Sequence, residues 1–214
     1  LELTGITVSF NSAPLEWWLS LPIIVIYPLL FGWVSYQTAT KLAEHKRRLQ
    51  VMSTRDGMTG VYNRRHWETM LRNEFDNCRR HNRDATLLII DIDHFKSIND
   101  TWGHDVGDEA IVALTRQLQI TLRGSDVIGR FGGDEFAVIM SGTPAGSAMT
   151  AMLRVHEGLN TLRLPNTPQV TLRISVGVAP LNPQMSHYRE WLKSADLALY
   201  KAKKAGRNRT EVAA

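Results

Sequence analysis

Val127-Ile128-Gly129-Arg130-Phe131-Gly132-Gly133-Asp134-Glu135-Phe136-Ala137-Val138-Ile139-Met140 sets an apolar run on each side of a Gly-Gly pair. The pattern reads as a β-hairpin, because a tight two-residue turn needs φ > 0 and glycine supplies it without steric cost. Its tip carries adjacent carboxylates, Asp134 and Glu135, which repel each other unless a cation sits beside them. Taken alone, this motif is equally a solvated acidic turn.

A second acidic site changes that balance. Ala85 to Ile92 is a continuous apolar run, the pattern of a strand buried on both faces, and it leads into Asp91-Ile92-Asp93. Carboxylates therefore stand where a buried strand meets its loop. Mg²⁺ takes oxygen ligands and is usually held by one or two carboxylates plus substrate phosphates. A carboxylate from the strand end and one from the hairpin tip, Asp91 and Asp134, can converge on such an ion, with a phosphate-bearing substrate completing its coordination. Asp93 reads as a capping or turn acid.

Further motifs extend over about residues 54 to 209. They are Asp56-Gly57-Met58-Thr59-Gly60-Val61-Tyr62-Asn63-Arg64-Arg65, Asp91 to Lys96, Asn99 to Asp108, Ile174 to Ala179, and Tyr200 to Asn208. Together, and in this order, they resemble the GGDEF-domain diguanylate cyclases. The resemblance implies a polymerase-palm-like domain that joins two GTP into cyclic di-GMP with Mg²⁺, or Mn²⁺ in its place. It also implies that the main-chain carbonyl of Ile92 joins Asp91 and Asp134 around the metal. Asp134 would act as general base toward the 3′-hydroxyl, with Glu135 assisting a second metal or the local field.

Several roles follow from the same resemblance. Lys96 would neutralise the triphosphate, since phosphoryl transfer spreads charge over the phosphate oxygens; a solvated lysine at a helix start is the plain alternative. Lys203 and Arg207 lie four apart near a helix end, share a face there, and would hold the terminal phosphates. Their alternative is pairing with the helix dipole. Asn99 and Asp108 would read guanine, because a carboxylate accepts from the base N1 and N2 donors and an amide both donates and accepts. His104, between them, contacts base or ribose, or else caps near Gly103. Arg123-Gly124-Ser125-Asp126 sits where the family places its product-inhibition site, with Arg154 as a further contact; arginine grips phosphate or the guanine edge bidentately.

The coarse order of elements is helix (Arg64 to His81), strand (Ala85 to Ile92), helix (Gly107 to Leu122), two hairpin strands (Asp126 to Phe131, Glu135 to Met140), helix (Ala145 to Leu162), strand (Val170 to Val178) and helix (Tyr188 to Ala205). This is an α/β (α+β) class chain with a ferredoxin-like βαββαβ core and added helices, hence a mainly antiparallel sheet covered by helices.

The N-terminal part reads differently. Trp17 to Tyr36 carries no charge, and at about 1.5 Å per residue a helix of that length crosses the roughly 30 Å hydrocarbon core. Aromatic residues near both ends match an interfacial belt. Lys41, Lys46, Arg47 and Arg48 follow the span, and Glu16 is the near charge before it, so the positive-inside rule puts the catalytic domain in the cytoplasm beneath the bacterial inner membrane. Residues 1–16 are then a stub of an external loop, 17–36 a transmembrane helix, 37–55 a helical connector with a weak heptad at Leu42 and Leu49, and 56–214 the catalytic domain. Leu at position 1 points to a piece of a longer protein, whose upstream part would be a sensor or anchor.

The 214 residues carry a net charge of +4 and one cysteine, Cys78, which excludes an internal disulfide and fits a reducing compartment. The pI of about 9.4 does not imply nucleic-acid duplex binding, because the basic residues are clustered without interleaved aromatics. A two-fold product made from two nucleotides calls for two facing sites, hence a C2 homodimer with GTP as substrate and cyclic di-GMP as product and inhibitor. The rival reading is a catalytically inactive module that senses GTP or cyclic di-GMP.

Overall fold

The computed structural model describes residues 26–42, 54–165, 167 and 169–213. The chain divides into two compact units, Leu1–Met52 and Ser53–Ala214. In the first, helix α1 covers residues 26–42 with its side chains exposed. Residues 17–25 and most of the expected connector lie outside the described residues. No described helix is long and apolar enough to cross a membrane. The described part of α1 is about 26 Å long, and Gln37 to Leu42 brings Gln, two Thr and Lys into it. The expected transmembrane helix is therefore not supported within the described residues.

The second unit is one mixed sheet with helices on both faces. Its elements are β1 (Tyr62–Asn63), α2 (Arg64–His81), β2 (Ala85–Ile92), α3 (Phe95–Trp102), α4 (His104–Thr121), β3 (Val127–Arg130), β4 (Glu135–Ser141), α5 (Ala145–Thr161), β5 (Ile174–Pro180), α6 (Tyr188–Lys204) and β6 (Arg209–Val212). The strand order is β1-β3-β4-β2-β5-β6. The four central strands are antiparallel, as a ferredoxin-like core requires, and the short edge strands β1 and β6 pair in parallel.

The period-2 alternation of β2 assigns its side chains to two cores. Leu88, Ile90 and Ile92 pack with Leu114 and Leu118 of α4 and Val155 of α5. Leu87 and Ile89 pack with Trp67 and Leu71 of α2 and Trp191 and Leu199 of α6. Asp91 continues the second set, so the register of β2 aims a carboxylate toward α6. Both buried indoles are satisfied by main-chain carbonyls, Trp67 by Val127 at 3.2 Å and Trp191 by Ala179 at 2.8 Å. Cys78 is buried, and burial first, then Glu74, pushes its thiol up to about 12, which makes it an inert core residue.

Helix α2 and strand β2 have the predicted bounds. Asn63 caps α2 by accepting from the His66 N–H, and Asn82 closes it in the left-handed region. Other elements differ. Helix α4 begins at His104, and a separate α3 precedes it with Gly103 (φ 87) between them. Strand β5 starts at Ile174, four residues later than expected, and Val170 instead turns back, its N–H donating to the Thr167 carbonyl at 3.0 Å. The hairpin reaches its turn by another route than expected. Positive φ at described glycines falls on Gly60, Gly103, Gly142 and Gly206, so neither Gly132 nor Gly133 adopts it. Phe131 and Gly132 N–H both donate to the Glu135 carbonyl, at 2.8 and 3.2 Å, which makes a wider loop than a two-residue turn.

Candidate active site

The register of β2 against β4 pairs Asp91 with Glu135, and Ile92 N–H donates to the Asp134 carbonyl at 3.3 Å. The hairpin tip therefore abuts the end of β2, and the two acidic motifs meet. Asp91 is 8% exposed, and its Oδ2 lies 2.7 Å from Nζ of Lys203 in the last turn of α6. Burial raises the Asp91 pKa most; Lys203 opposes the rise, and the charges of Asp134 and Glu135 add to it. Asp91 thus feels the negative charge of Asp134 and Glu135 and is paired with Lys203, an environment in which a further cation near Asp91 would be favoured.

Among the described residues, no group of three or more His, Cys, Asp or Glu side chains is gathered closely enough to hold a metal ion. Any hard cation at this place would need oxygen ligands beyond these side chains, such as phosphates.

The tip is fastened from behind. Arg130 donates through Nη2 to the Gly133 carbonyl at 2.7 Å and through Nη1 to Asp56 Oδ1 at 3.2 Å. Asp56 is oriented in turn by Thr59, whose N–H and hydroxyl donate at 3.0 and 2.6 Å. Sequence reasoning passed over Arg130 as part of an apolar run; the Asp-Gly-Met-Thr spacing, an Asx turn, was the available signal for Asp56. A Cβ at Gly132 would lie 2.8 Å from Glu135 Oε2, the end of a side chain that can turn aside.

Asn99 of α3 packs its amide on Gly107 of α4, where a Cβ would lie 1.9 Å from Asn99 Oδ1, and Asp108 is the residue after that glycine. Asn99 Oδ1 is buried without a hydrogen-bond partner among the described residues. His104 and Asp108 are exposed and one helical turn apart on α4. Lys96 is exposed in the first turn of α3. A mainly apolar groove of about 630 Å³ runs from Asp105 and Asp108 along α4 to Leu164, away from Asp91 and Lys203.

Lys203 and Arg207 do not share a helical face. Helix α6 ends at Lys204, and Gly206 (φ 109), Arg207 (φ 61) and Asn208 (φ 46) follow in the left-handed region. Arg207 N–H still closes the helix end by donating to the Ala202 carbonyl at 3.0 Å.

Arg123, Asp126 and Arg154 line one cavity of about 190 Å³ with Thr143, Ser147 and Thr150. Arg123 N–H donates to Asp126 Oδ2 at 2.9 Å, and Asp126 N–H returns to the Arg123 carbonyl at 2.9 Å. Asp126 is 9% exposed, burial raises its pKa, and its Oδ1 has no partner among the described residues.

Comparison with known proteins agrees with this geometry. The sequence profile described as "Diguanylate cyclase, GGDEF domain" matches residues 53–209. The chain is 99% identical over its whole length to "Probable diguanylate cyclase DgcC" of Escherichia coli K12, of which it spans 58%. It is 35% identical over 73% of its length to "Diguanylate cyclase DosC" of the same organism, covering 34% of that protein. The GGDEF domain of DgcB from Caulobacter crescentus, solved in complex with c-di-GMP, superposes with a TM-score of 0.71 at 30% identity, over 75% of this chain and 93% of that one. This chain belongs to the diguanylate cyclase GGDEF-domain family.

Proposed function

We propose that this chain is a diguanylate cyclase that condenses two GTP into cyclic di-GMP. In each half-reaction the 3′-oxygen of one nucleotide bonds to the α-phosphorus of the other. The α–β phosphoanhydride bond breaks, pyrophosphate leaves, and the 3′-hydroxyl proton passes to the Asp134 carboxylate. The carrying observation is the abutment of the Asp134 tip on the end of β2, with Lys203 on Asp91. Guanine selection is supported by the residue types at Asn99 and Asp108, since a carboxylate accepts from the N1 and N2 donors of guanine and an amide both donates and accepts.

Asp91, Asp134 and the Ile92 carbonyl would hold Mg²⁺, or Mn²⁺ in its place. When bound, the ion supplies charge stabilisation at the phosphates and acidifies the attacking hydroxyl. Lys96, Lys203 and Arg207 bind the phosphates and orient the chain of the triphosphate. Glu135 adds negative potential next to Asp91. His104 stands at the base or ribose.

The reading includes a C2 homodimer, since each product needs two nucleotides held by two facing sites. It includes cyclic di-GMP as an inhibitor in the cavity of Arg123, Asp126 and Arg154, two arginines and an orphaned carboxylate oxygen matching phosphates and guanine N–H donors. It also includes attachment to the inner membrane with this domain in the cytoplasm, supported by the uncharged Trp17 to Tyr36 and the basic residues after it.

The test is incubation of the purified chain with GTP and Mg²⁺ beside an Asp134→Ala control, followed by nucleotide chromatography. Cyclic di-GMP from the wild type alone is expected. No product from a demonstrably dimeric protein overturns the cyclase and leaves the nucleotide-sensing module.

A further inference from the structure

The two acids of Asp91-Ile92-Asp93 are two residues apart, yet they have different partners. Asp91 takes the Lys203 ammonium. Asp93 is more deeply buried, 5% exposed, and both its oxygens are engaged by the fold. Oδ1 accepts from Ser175 Oγ at 2.6 Å, and Oδ2 accepts from Asn208 N–H at 2.8 Å. Asn208 closes a run of three residues with positive φ, two of them not glycine. Left-handed backbone is unfavourable for such residues and persists only where surrounding contacts hold it.

Those contacts can be traced. At one end Arg207 N–H is tied to Ala202 of α6. At the other, β6 pairs with β5, Arg209 opposite Ser175. Asp93 joins the middle of this system, binding the turn with one oxygen and, with the other, the Ser175 side chain on β5. Arg207 is thus carried on a turn of positive φ whose backbone is held by a buried acid just past the end of β2.

We propose that Asp93 is a positioning residue for substrate phosphate binding: it holds the Gly206–Asn208 turn in the conformation that presents Arg207 to the terminal phosphates of GTP. Its charge is spent on a hydroxyl and a main-chain N–H, and the triphosphate is felt only through Arg207. This rests on the cyclase reading above for the identity of the phosphates.

The test uses the 214-residue chain, with calorimetric binding of 3′-deoxy-GTP, which cannot cyclise, and of GMP, which lacks the terminal phosphates. Asp93→Asn removes the charge and leaves one acceptor oxygen for two donors, Ser175 Oγ–H and Asn208 N–H. Losing such a charge-assisted bond should weaken 3′-deoxy-GTP about tenfold and leave GMP unchanged. Arg207→Ala should do the same, and the double variant should bind no worse than Arg207→Ala, the non-additivity of residues acting through one another. Ser175→Ala should shift affinity in the same direction by less, and exchange of the Asn208 amide should accelerate in Asp93→Asn without nucleotide. Additive losses, a parallel loss of GMP, unchanged amide exchange, or weakened Mn²⁺ binding to nucleotide-free Asp93→Asn would each overturn the proposal. Wild-type protein that ignores 3′-deoxy-GTP while its Asn208 amide still responds to Asp93→Asn would remove the cyclase reading and the phosphate role together, leaving the turn's anchor intact.

Discussion

Two turns flank the candidate site, and they are built in opposite ways. The tip Gly132-Gly133-Asp134 is rich in glycine yet uses no positive φ. The turn Gly206-Arg207-Asn208 has one glycine and holds three residues there. Each is secured by one buried or half-buried ionic side chain that grips main chain: Arg130 on the Gly133 carbonyl, Asp93 on the Asn208 N–H. The tip glycines thus take ordinary φ, and a Cβ at Gly133 would meet nothing within 4 Å, whereas the conformation of the second turn is maintained by tertiary contact. Composition does not report strain; the hydrogen-bond partner of the backbone does.

The largest test of this contrast removes the tip's anchor. Arg130→Ala leaves Asp134 on an unfastened loop and should lower cyclic di-GMP formation by about a hundredfold, a misplacement effect, with GTP affinity little changed. Steady-state kinetics beside binding of 3′-deoxy-GTP would reveal it; a change confined to KM would mean that the tip is held without Arg130.

Next in size is Gly129→Ala at the base of the same hairpin. A Cβ there would lie 2.5 Å from the Trp67 ring, inside a packed core. Overpacking of this kind costs about 1–3 kcal/mol, seen as a fall of several degrees in Tm. An unchanged Tm would show that Trp67 can move aside.

The two turns can then be compared directly. Gly206→Ala forces an L side chain into φ 109 and should cost about 1 kcal/mol. Gly133→Ala meets nothing within 4 Å at ordinary φ and should stay within about 0.5 kcal/mol of wild type in denaturant unfolding. Equal costs would erase the distinction drawn here.

The smallest effect is in acid. Burial would raise the Asp56 pKa, but its bonds from Thr59 and the Arg130 charge outweigh this and hold it below 3.8. A depressed acid contributes stability above its unfolded pKa and loses it as pH falls through the lower folded value. Asp56→Asn should be less stable at neutral pH and lose less on acidification below about pH 4, as urea midpoints across that range would report. A parallel pH profile would detach Asp56 from the tip's stability.

Some of this was legible before any coordinates. The capped run Arg64–His81 and the continuous apolar Ala85–Ile92 carry their own boundaries, because local caps and unbroken burial need no distant partner. The convergence of Asp91 and Asp134 was legible from two acidic motifs at the ends of apolar runs. Helix α3 was not, being eight residues long without a side-chain cap. Edge strands β1 and β6 were not, because strands this short are defined by their neighbours. The shared face assigned to Lys203 and Arg207 failed because helical periodicity was carried past Gly206.

The sequence by itself determined which chemistry the chain can do. Acids at the ends of two apolar runs are the residue types that a metal-assisted phosphate chemistry needs, and the motifs that resemble the cyclase family add the expected phosphate and guanine roles of the cations and of Asn99 and Asp108. Only the tertiary structure decided how those groups are held. Arg130 to Asp56, Lys203 to Asp91 and Asn208 to Asp93 join residues 74, 112 and 115 apart in the chain (130 − 56, 203 − 91, 208 − 93), and no local pattern encodes contacts at that separation. They form because the antiparallel sheet brings the strand ends to one edge and burial makes each unpaired polar group costly.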